Sequence, residues 1–184
     1  LKELSLHILD LAQNSIKAGA EEIKIKIVED LNFDQMEIII QDDGKGMPED
    51  FLKKVLDPFT TTRTTRRVGL GLPFFQAAAE MCEGGLKITS QEGIGTKVEA
   101  EFQHSHIDRA PLGRIEDTLI TIIQGNPELD IYYQHLVNDK EFSFTTVEVR
   151  QKLENIPLNE ITVIKFIREY ISENLEELRE GINI

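Results

Sequence analysis

The chain has no tryptophan, only three tyrosines and a single cysteine. One cysteine, Cys82, excludes an intrachain disulfide, so the fold must be held by its core. The thiol sits on the pattern of a helix and reads as a small core residue, which suits a reducing, cytoplasmic setting. No run reaches the ~18 apolar residues that a membrane-spanning helix requires, so no membrane association is expected, and no signal peptide is visible. Basic charge is also short. Twenty Lys and Arg face 33 Asp and Glu, a net charge of −13. That balance excludes a general nucleic-acid surface, which needs clustered cations against phosphate. It also means that any polyphosphate bound here needs a divalent cation, backbone N–H groups or a few placed basic side chains. Neither an internal repeat nor a low-complexity segment is present.

What is there is ordinary globular material, 40% hydrophobic and 29% charged. Its 184 residues suffice for one good-sized core, or one core with a small appendage. Residues 4–18 read as a helix, because Leu4, Ile8, Leu11, Ala12 and Ser15 recur at helical spacing before a glycine stop at Gly19. Residues 22–29 alternate strictly, with Ile23, Ile25 and Ile27 on one strand face. Residues 36–41 form a second strand, and the turn LNFD makes the two an antiparallel hairpin. A short helix over 49–56 follows the irregular DDGKGMP and ends at Pro58. Residues 60–68, TTTRTTRRV, show no apolar period and read as a mobile loop. GLGLPFFQAAAEMC then opens a helix, with Pro73 in the first turn, where its missing N–H costs nothing. LKITSQ and TKVEAEF are strands joined by EGIGT. This order predicts an α+β chain, an α/β sandwich with a mixed sheet and helices on one face.

Residues 104–184 differ in character, and the expected division is an α/β domain over 1–103 with an α+β extension over 104–184. Helices are predicted over 113–124, 148–155 and 160–180, and DIYYQHLV and EFSFTTVEV read as a strand pair around NDK. The last helix carries a broad apolar stripe that either packs on the sheet or forms an oligomer or partner interface.

Four places carry chemistry. Asp10 and Asn14 share one face of the first helix at i,i+4, with His7 and Lys17 nearly aligned. An asparagine oxygen can ligate Mg²⁺ without adding charge, and a carboxylate one turn back can orient water; equally, the pair can be a solvated helix face. Asp42-Asp43-Gly44-Lys45-Gly46 ends a buried strand, where a carboxylate can accept from an exocyclic amine such as that of adenine and glycines allow close approach. The bland reading is an Asp-Gly turn. Gly69-Leu70-Gly71-Leu72 opens a helix whose free N–H groups suit phosphate oxygens. It lacks the Lys-Ser/Thr ending of a P-loop and the preceding strand of a dinucleotide fingerprint. Gly93-Ile94-Gly95-Thr96 alone is a hairpin turn.

Together, DLAQNSIKAGA, DDGKGMP, DPFTTTR, GLGL and GIGT stand in the order and spacing of five motifs. The chain thus resembles the superfamily of gyrase, heat-shock chaperone, histidine kinase and mismatch-repair ATPases, over residues 4–102. The resemblance implies the Bergerat α/β sandwich and ATP with Mg²⁺ as ligands. It implies that Asn14 holds Mg²⁺, Lys17 sits near the phosphates, Asp42 binds the adenine amino group, and Gly44 and Gly46 make room for the base. Gly69 and Gly71 would donate N–H groups to phosphate, and Thr96 would support the network beside Asp42. Met47, Leu70 and Leu72 join the nucleotide-binding set by the same resemblance. Residues 60–68 would be a lid, with Arg63, Arg66 and Arg67 either on phosphate or as solvated charges.

Three departures shape the expected activity. Asp10 stands where hydrolysing relatives carry Glu, and the lost methylene shortens its reach as a base by about 1.5 Å, a displacement that can cost ~100-fold in rate. Arg67 replaces the first glycine of the usual GxGLG stretch. None of His7, His104, His106 and His135 lies in the helical-hairpin context of a phosphoacceptor, so self-phosphorylation on histidine is not expected. The expected function is an ATPase or protein kinase acting in trans on a protein partner, in signalling or regulation. The alternative is a non-catalytic, ATP-dependent binding switch. Homo-oligomerisation stays open.

Overall fold

The computed structural model describes residues 2–55 and 71–180. Its centre is one mixed sheet of six strands: β1 (Glu22–Asp30), β2 (Gln35–Asp42), β3 (Gly85–Gln91), β4 (Gly95–Gln103), β5 (Asp130–Val137) and β6 (Lys140–Thr145). Their spatial order is β3-β4-β2-β1-β5-β6. All neighbours are antiparallel except β1 and β5, which run parallel from Glu22 opposite Asp130 to Glu29 opposite Val137. The strands of the C-terminal portion therefore extend the same sheet. Six helices complete the described chain: α1 (Leu4–Lys17), α2 (Glu49–Val55), α3 (Gly71–Glu80), α4 (Ile115–Gly125), α5 (Thr146–Leu153) and α6 (Ile161–Arg179).

Alternation decides which side the helices cover. Ile25 stands opposite Ile40 and Tyr133, and Ile27 opposite Ile38 and His135, so these side chains share one face. All of them are buried. Helix α1 packs on β2, α3 on β3 and β4, and α6 on β5 and β6, while α4 bridges α1 and α6. Burying each such isoleucine contributes roughly 2 kcal/mol, enough to fix the register, since a one-residue slip would turn every one of them to the opposite face. That opposite face carries Lys24, Lys26, Gln41, Lys97 and Glu99, all exposed or half-buried.

Two boundaries differ from the sequence pattern. The strand expected through Val149 stops at Thr145, and α5 begins at Thr146. Thr145 accepts a hydrogen bond from Val147 N and caps the helix. The buried Thr146 hydroxyl accepts from Ile131 N (2.8 Å) and donates to Leu129 O (3.0 Å), which holds the chain against the start of β5. Helix α3 ends at Glu80, so Cys82 lies in the following turn, still buried. There Gly84 N closes back on Ala79 O (3.0 Å), and Glu83 adopts a positive φ of 55°.

At the far end of β1, a buried ionic cluster ties the two portions of the chain together. Glu29, only 3% exposed, lies 2.8 Å from His104 Nε2 through one oxygen and 2.7 Å from His135 Nε2 through the other. Arg179, in the last turn of α6, approaches the same carboxylate at 3.5 Å. Burial works against the charged form of Glu29. The hydrogen bonds from His135 and His104, with the Arg179 charge, outweigh it and hold the carboxyl at about 2. Burial keeps the Tyr133 phenol protonated, and its hydroxyl is 2.8 Å from His135 Nδ1. Both imidazole nitrogens of His135 thus have partners, Glu29 on one side and Tyr133 on the other.

Candidate functional site

At the opposite end of β1 and β2 the sequence motifs converge. Asp42 closes β2, paired in register with Ile23 and Thr96, and so points toward the helical layer. One of its oxygens accepts from Ser15 Oγ on α1 (2.5 Å) and the other from Gly44 N (2.9 Å). Each oxygen keeps a lone pair for a further donor. Ser15 is buried by the same helical periodicity that places Leu4, Ile8 and Leu11, so α1 carries a hydroxyl onto the end of the sheet.

The loop after Asp42 is held from both sides. Lys45 N donates to Ala18 O at the end of α1 (3.1 Å), and Gly93 N donates to Lys45 O (2.8 Å). Met47 N donates to Ser90 Oγ (2.8 Å), which lies 2.9 Å from Thr96 Oγ1 and 3.0 Å from Gly95 O. Two glycines make this contact possible. Gly46 has φ +66°, and a Cβ there would fall 2.0 Å from Gln91 O. Gly95 has φ +135°, and a Cβ there would fall 2.0 Å from Asp42 O. Asp43 takes a structural part, since its carboxylate accepts from Glu21 N and Glu22 N at 2.8 and 2.9 Å.

Helices α1 and α3 meet beside this cluster. A Cβ on Gly71 would fall 1.6 Å from one Asp10 oxygen, so only glycine admits that carboxylate to the start of α3. This Asp10 oxygen is buried and has no hydrogen-bond partner among the described residues. Asn14 is half-buried one turn further along α1, and Lys17 is exposed in its last turn. Leu72 is buried in the core and Met47 packs against it. The structure thus gathers Ser15, Asp42, Gly44, Gly46, Ser90, Gly95 and Thr96 in one cluster, with Asp10, Asn14 and Gly71 on the adjoining helices. Arg63, Arg66, Arg67, Gly69 and Leu70, with the whole expected lid over 60–68, lie outside the described residues.

Sequence reasoning missed three participants. Ser15 reads as an apolar-stripe residue, although a hydroxyl in such a stripe needs a partner. Ser90 sits in a strand with no motif around it. His7 reads as a helix-face residue but is 3% exposed and stacks on Phe75, with ring centroids 5.0 Å apart. Burial pushes its imidazole down to about 4. A lowered histidine binds fewer protons folded than unfolded, so stability should fall as pH drops from 6.5 to 4, by about 3 kcal/mol in full. His7→Phe keeps the stack and removes the proton site. Urea unfolding across this window should show a flatter pH profile for the variant than for the unsubstituted protein.

Fold and site together define an α/β-sandwich ATPase module. The family model described as histidine kinase-, DNA gyrase B- and HSP90-like ATPase matches residues 2–106, and the chain belongs to that family. Among curated proteins, it is 32% identical over 103 residues to the autoinducer 2 sensor kinase/phosphatase LuxQ of Vibrio cholerae, covering 52% of this chain and 12% of that protein. It is 35% identical over 97 residues to sporulation kinase E of Bacillus subtilis, covering 52% of this chain and 13% of that one. The chain therefore spans under a fifth of the length of these relatives. Among solved structures, the N-terminal domain of a DNA repair protein superposes with a TM-score of 0.50 at 17% identity, over 78% of this chain and 52% of that one. The family match ends before α4, so α4 to α6 lie beyond it. No described helix is long and apolar enough to cross a membrane.

Proposed function

We propose that this chain binds Mg-ATP at the cluster around Asp42 and acts on, or regulates, a protein partner in trans as a kinase-like signalling module of the cytoplasm. One observation carries the nucleotide part of this reading: Asp42 is fixed by Ser15 and Gly44 N, with lone pairs free, beside a loop that Gly46 lets close on Gln91. In this reading Asp42 accepts the adenine amino hydrogen, and Ser90 and Thr96 steady the base side. Asn14 supplies a neutral oxygen to Mg²⁺, and Lys17 and the N–H groups at the start of α3, with Gly69 and Gly71, face phosphate. The half-buried Asn14 makes no side-chain hydrogen bond to the described residues, which fits a group kept for a ligand. Magnesium would neutralise phosphate charge that an already acidic chain cannot. The sensor- and sporulation-kinase relatives support transfer to another protein.

The position of Asp10 favours a second reading, a binding switch without turnover. One of its oxygens is packed against Gly71 rather than open to a water. Labelled ATP with candidate partners separates the two, since only the kinase reading yields phosphoprotein. The nucleotide site itself is tested through Asn14→Ala. Its affinity for ATP should fall by ~10-fold or more with magnesium present and change little in EDTA, because the lost oxygen serves the metal. Equal affinity of variant and parent in magnesium would remove Asn14 from the site.

A further inference from the structure

One edge of the sheet is β6, which pairs with β5 alone among the described residues. The two-residue turn between Val137 and Lys140 makes those two a mutually bonded pair, and alternation then turns the N–H and C=O groups of Glu141, Ser143 and Thr145 outward. An edge of this kind is a template for another strand. Beside it lies a groove of about 370 Å³, floored by Ser143, Phe144 and Thr145 and walled by α5 and α6. Ile156, Phe166 and Tyr170 line it and are 50%, 63% and 42% exposed. The rings of Phe166 and Tyr170 stack with centroids 6.3 Å apart, and Tyr170 meets Phe142 edge-on at 5.9 Å. Both stand beside the stripe of Val163, Ile167 and Ile171 that α6 buries. Exposed apolar surface continuous with an open strand edge marks an interface, and this one lies beyond the residues that the family model matches.

Charge and symmetry select the occupant. The whole chain carries −13, yet residues 140–171 hold five Lys or Arg against five Glu, so this surface does not repel a copy of itself. Residues 181–184, which follow α6, add no ionisable side chain. A two-fold axis perpendicular to the sheet lets β6 pair antiparallel with its own copy and keeps both helical layers on one side. With Ser143 on the axis, Glu141 stands opposite Thr145 and Phe142 opposite Phe144, so polar faces polar and apolar faces apolar. Centring on Phe142 instead would set Lys140 opposite Phe144. Helix α6 runs antiparallel to β6, with Tyr170 against Phe142 and Glu180 beside Lys140. The Ser143 register therefore brings Tyr170 of one copy level with Phe166 of the other.

We propose that this surface joins two copies of the chain, with β6 pairing about Ser143 into one continuous sheet and Phe166 and Tyr170 closing over the seam. The candidate nucleotide residues on β2, β3 and β4 stay clear of that seam, and the inference does not rest on the nucleotide reading. Sedimentation velocity of the full chain should show a dimer above roughly 10 μM, the strength of a modest interface. Ser143→Pro removes an outward N–H and leaves the bonds to β5 in place, and Phe166→Glu sets a charge in the seam. Each should weaken the dimer ~10-fold or more, with far-ultraviolet circular dichroism unchanged. Should the proline variant lose that signal, Phe166→Glu and two cysteine variants decide. Directly opposed residues of a bonded antiparallel pair lie about 5.5 Å apart at Cα, within disulfide reach. Mild oxidation should therefore link two copies of Ser143→Cys and leave Asp139→Cys, far out of register with its own copy, unlinked. A monomer at every concentration up to ~100 μM, a dimer that Phe166→Glu leaves undiminished, or linkage of Asp139→Cys as fast as Ser143→Cys overturns the proposal.

Discussion

Asp42→Asn should lower affinity for ATP by roughly 100-fold, about 3 kcal/mol, the upper range for a hydrogen bond to a charged acceptor. The size follows from the position. Ser15 Oγ and Gly44 N already aim donors at the two oxygens. An amide would turn its NH₂ toward one of them and leave one acceptor oxygen for the rest. An adenine amino group would then meet a weaker acceptor or another donor. The variant's fold should survive, since the strand register rests on apolar pairs such as Ile25 with Ile40 and Ile27 with Ile38. Calorimetry together with a thermal melt checks both halves. An affinity within twofold of the parent, at unchanged melting temperature, would mean that Asp42 does not touch the base.

The second large effect is on stability and lies at the other end of the sheet. Glu29→Gln should cost about 3 kcal/mol at neutral pH, because it leaves the Arg179 charge without its buried partner and sets an amide N–H₂ against an imidazole N–H. The pH dependence has a definite sign. A carboxylate lowered to about 2 stabilises the fold above its ordinary value near 4.5, and that contribution is lost as pH falls from 4.5 through 2. The gap between parent and variant in urea should therefore be widest at neutral pH and close through that window. A constant gap down to pH 2 would contradict the charged cluster. The same variant reports on how the C-terminal portion is held, since His135 lies on β5 and Arg179 on α6. Proteolysis within residues 104–184 should quicken in step with the loss of stability.

These two sites were unequally legible in the sequence. Asp42 stands in a glycine-punctuated run that breaks a strand pattern, a local signal. The helical stripe of α1 and the alternation of β1 likewise set their own elements, because apolar period is a local property. Glu29 left a fainter trace. It continues the alternation of Ile23, Ile25 and Ile27, so a charge fell on a face otherwise buried and required a partner. The partners stand 75, 106 and 150 positions further along, and only the parallel pairing of β5 with β1 brings two of them in. Local pattern does not encode a pairing of that separation. Ser15 shows the converse, since its spacing correctly predicted burial and thereby hid its hydrogen bond to Asp42. The end of β6 was misjudged because TTVEV has strand-forming residues, while the decisive event is the cap made by Thr145 and the two bonds of the Thr146 hydroxyl.

The claim on which the functional account stands is that the cluster around Asp42 grips an adenine nucleotide in a magnesium-dependent way. Titration calorimetry of the full chain with ATP, with magnesium and then with EDTA, tests it directly. The account predicts saturable one-to-one binding that weakens by ~10-fold or more when the metal is removed and that GTP does not reproduce, since guanine presents a carbonyl where adenine presents its amine. No heat of binding with either metal condition, or equal affinity for ATP and GTP, would contradict it.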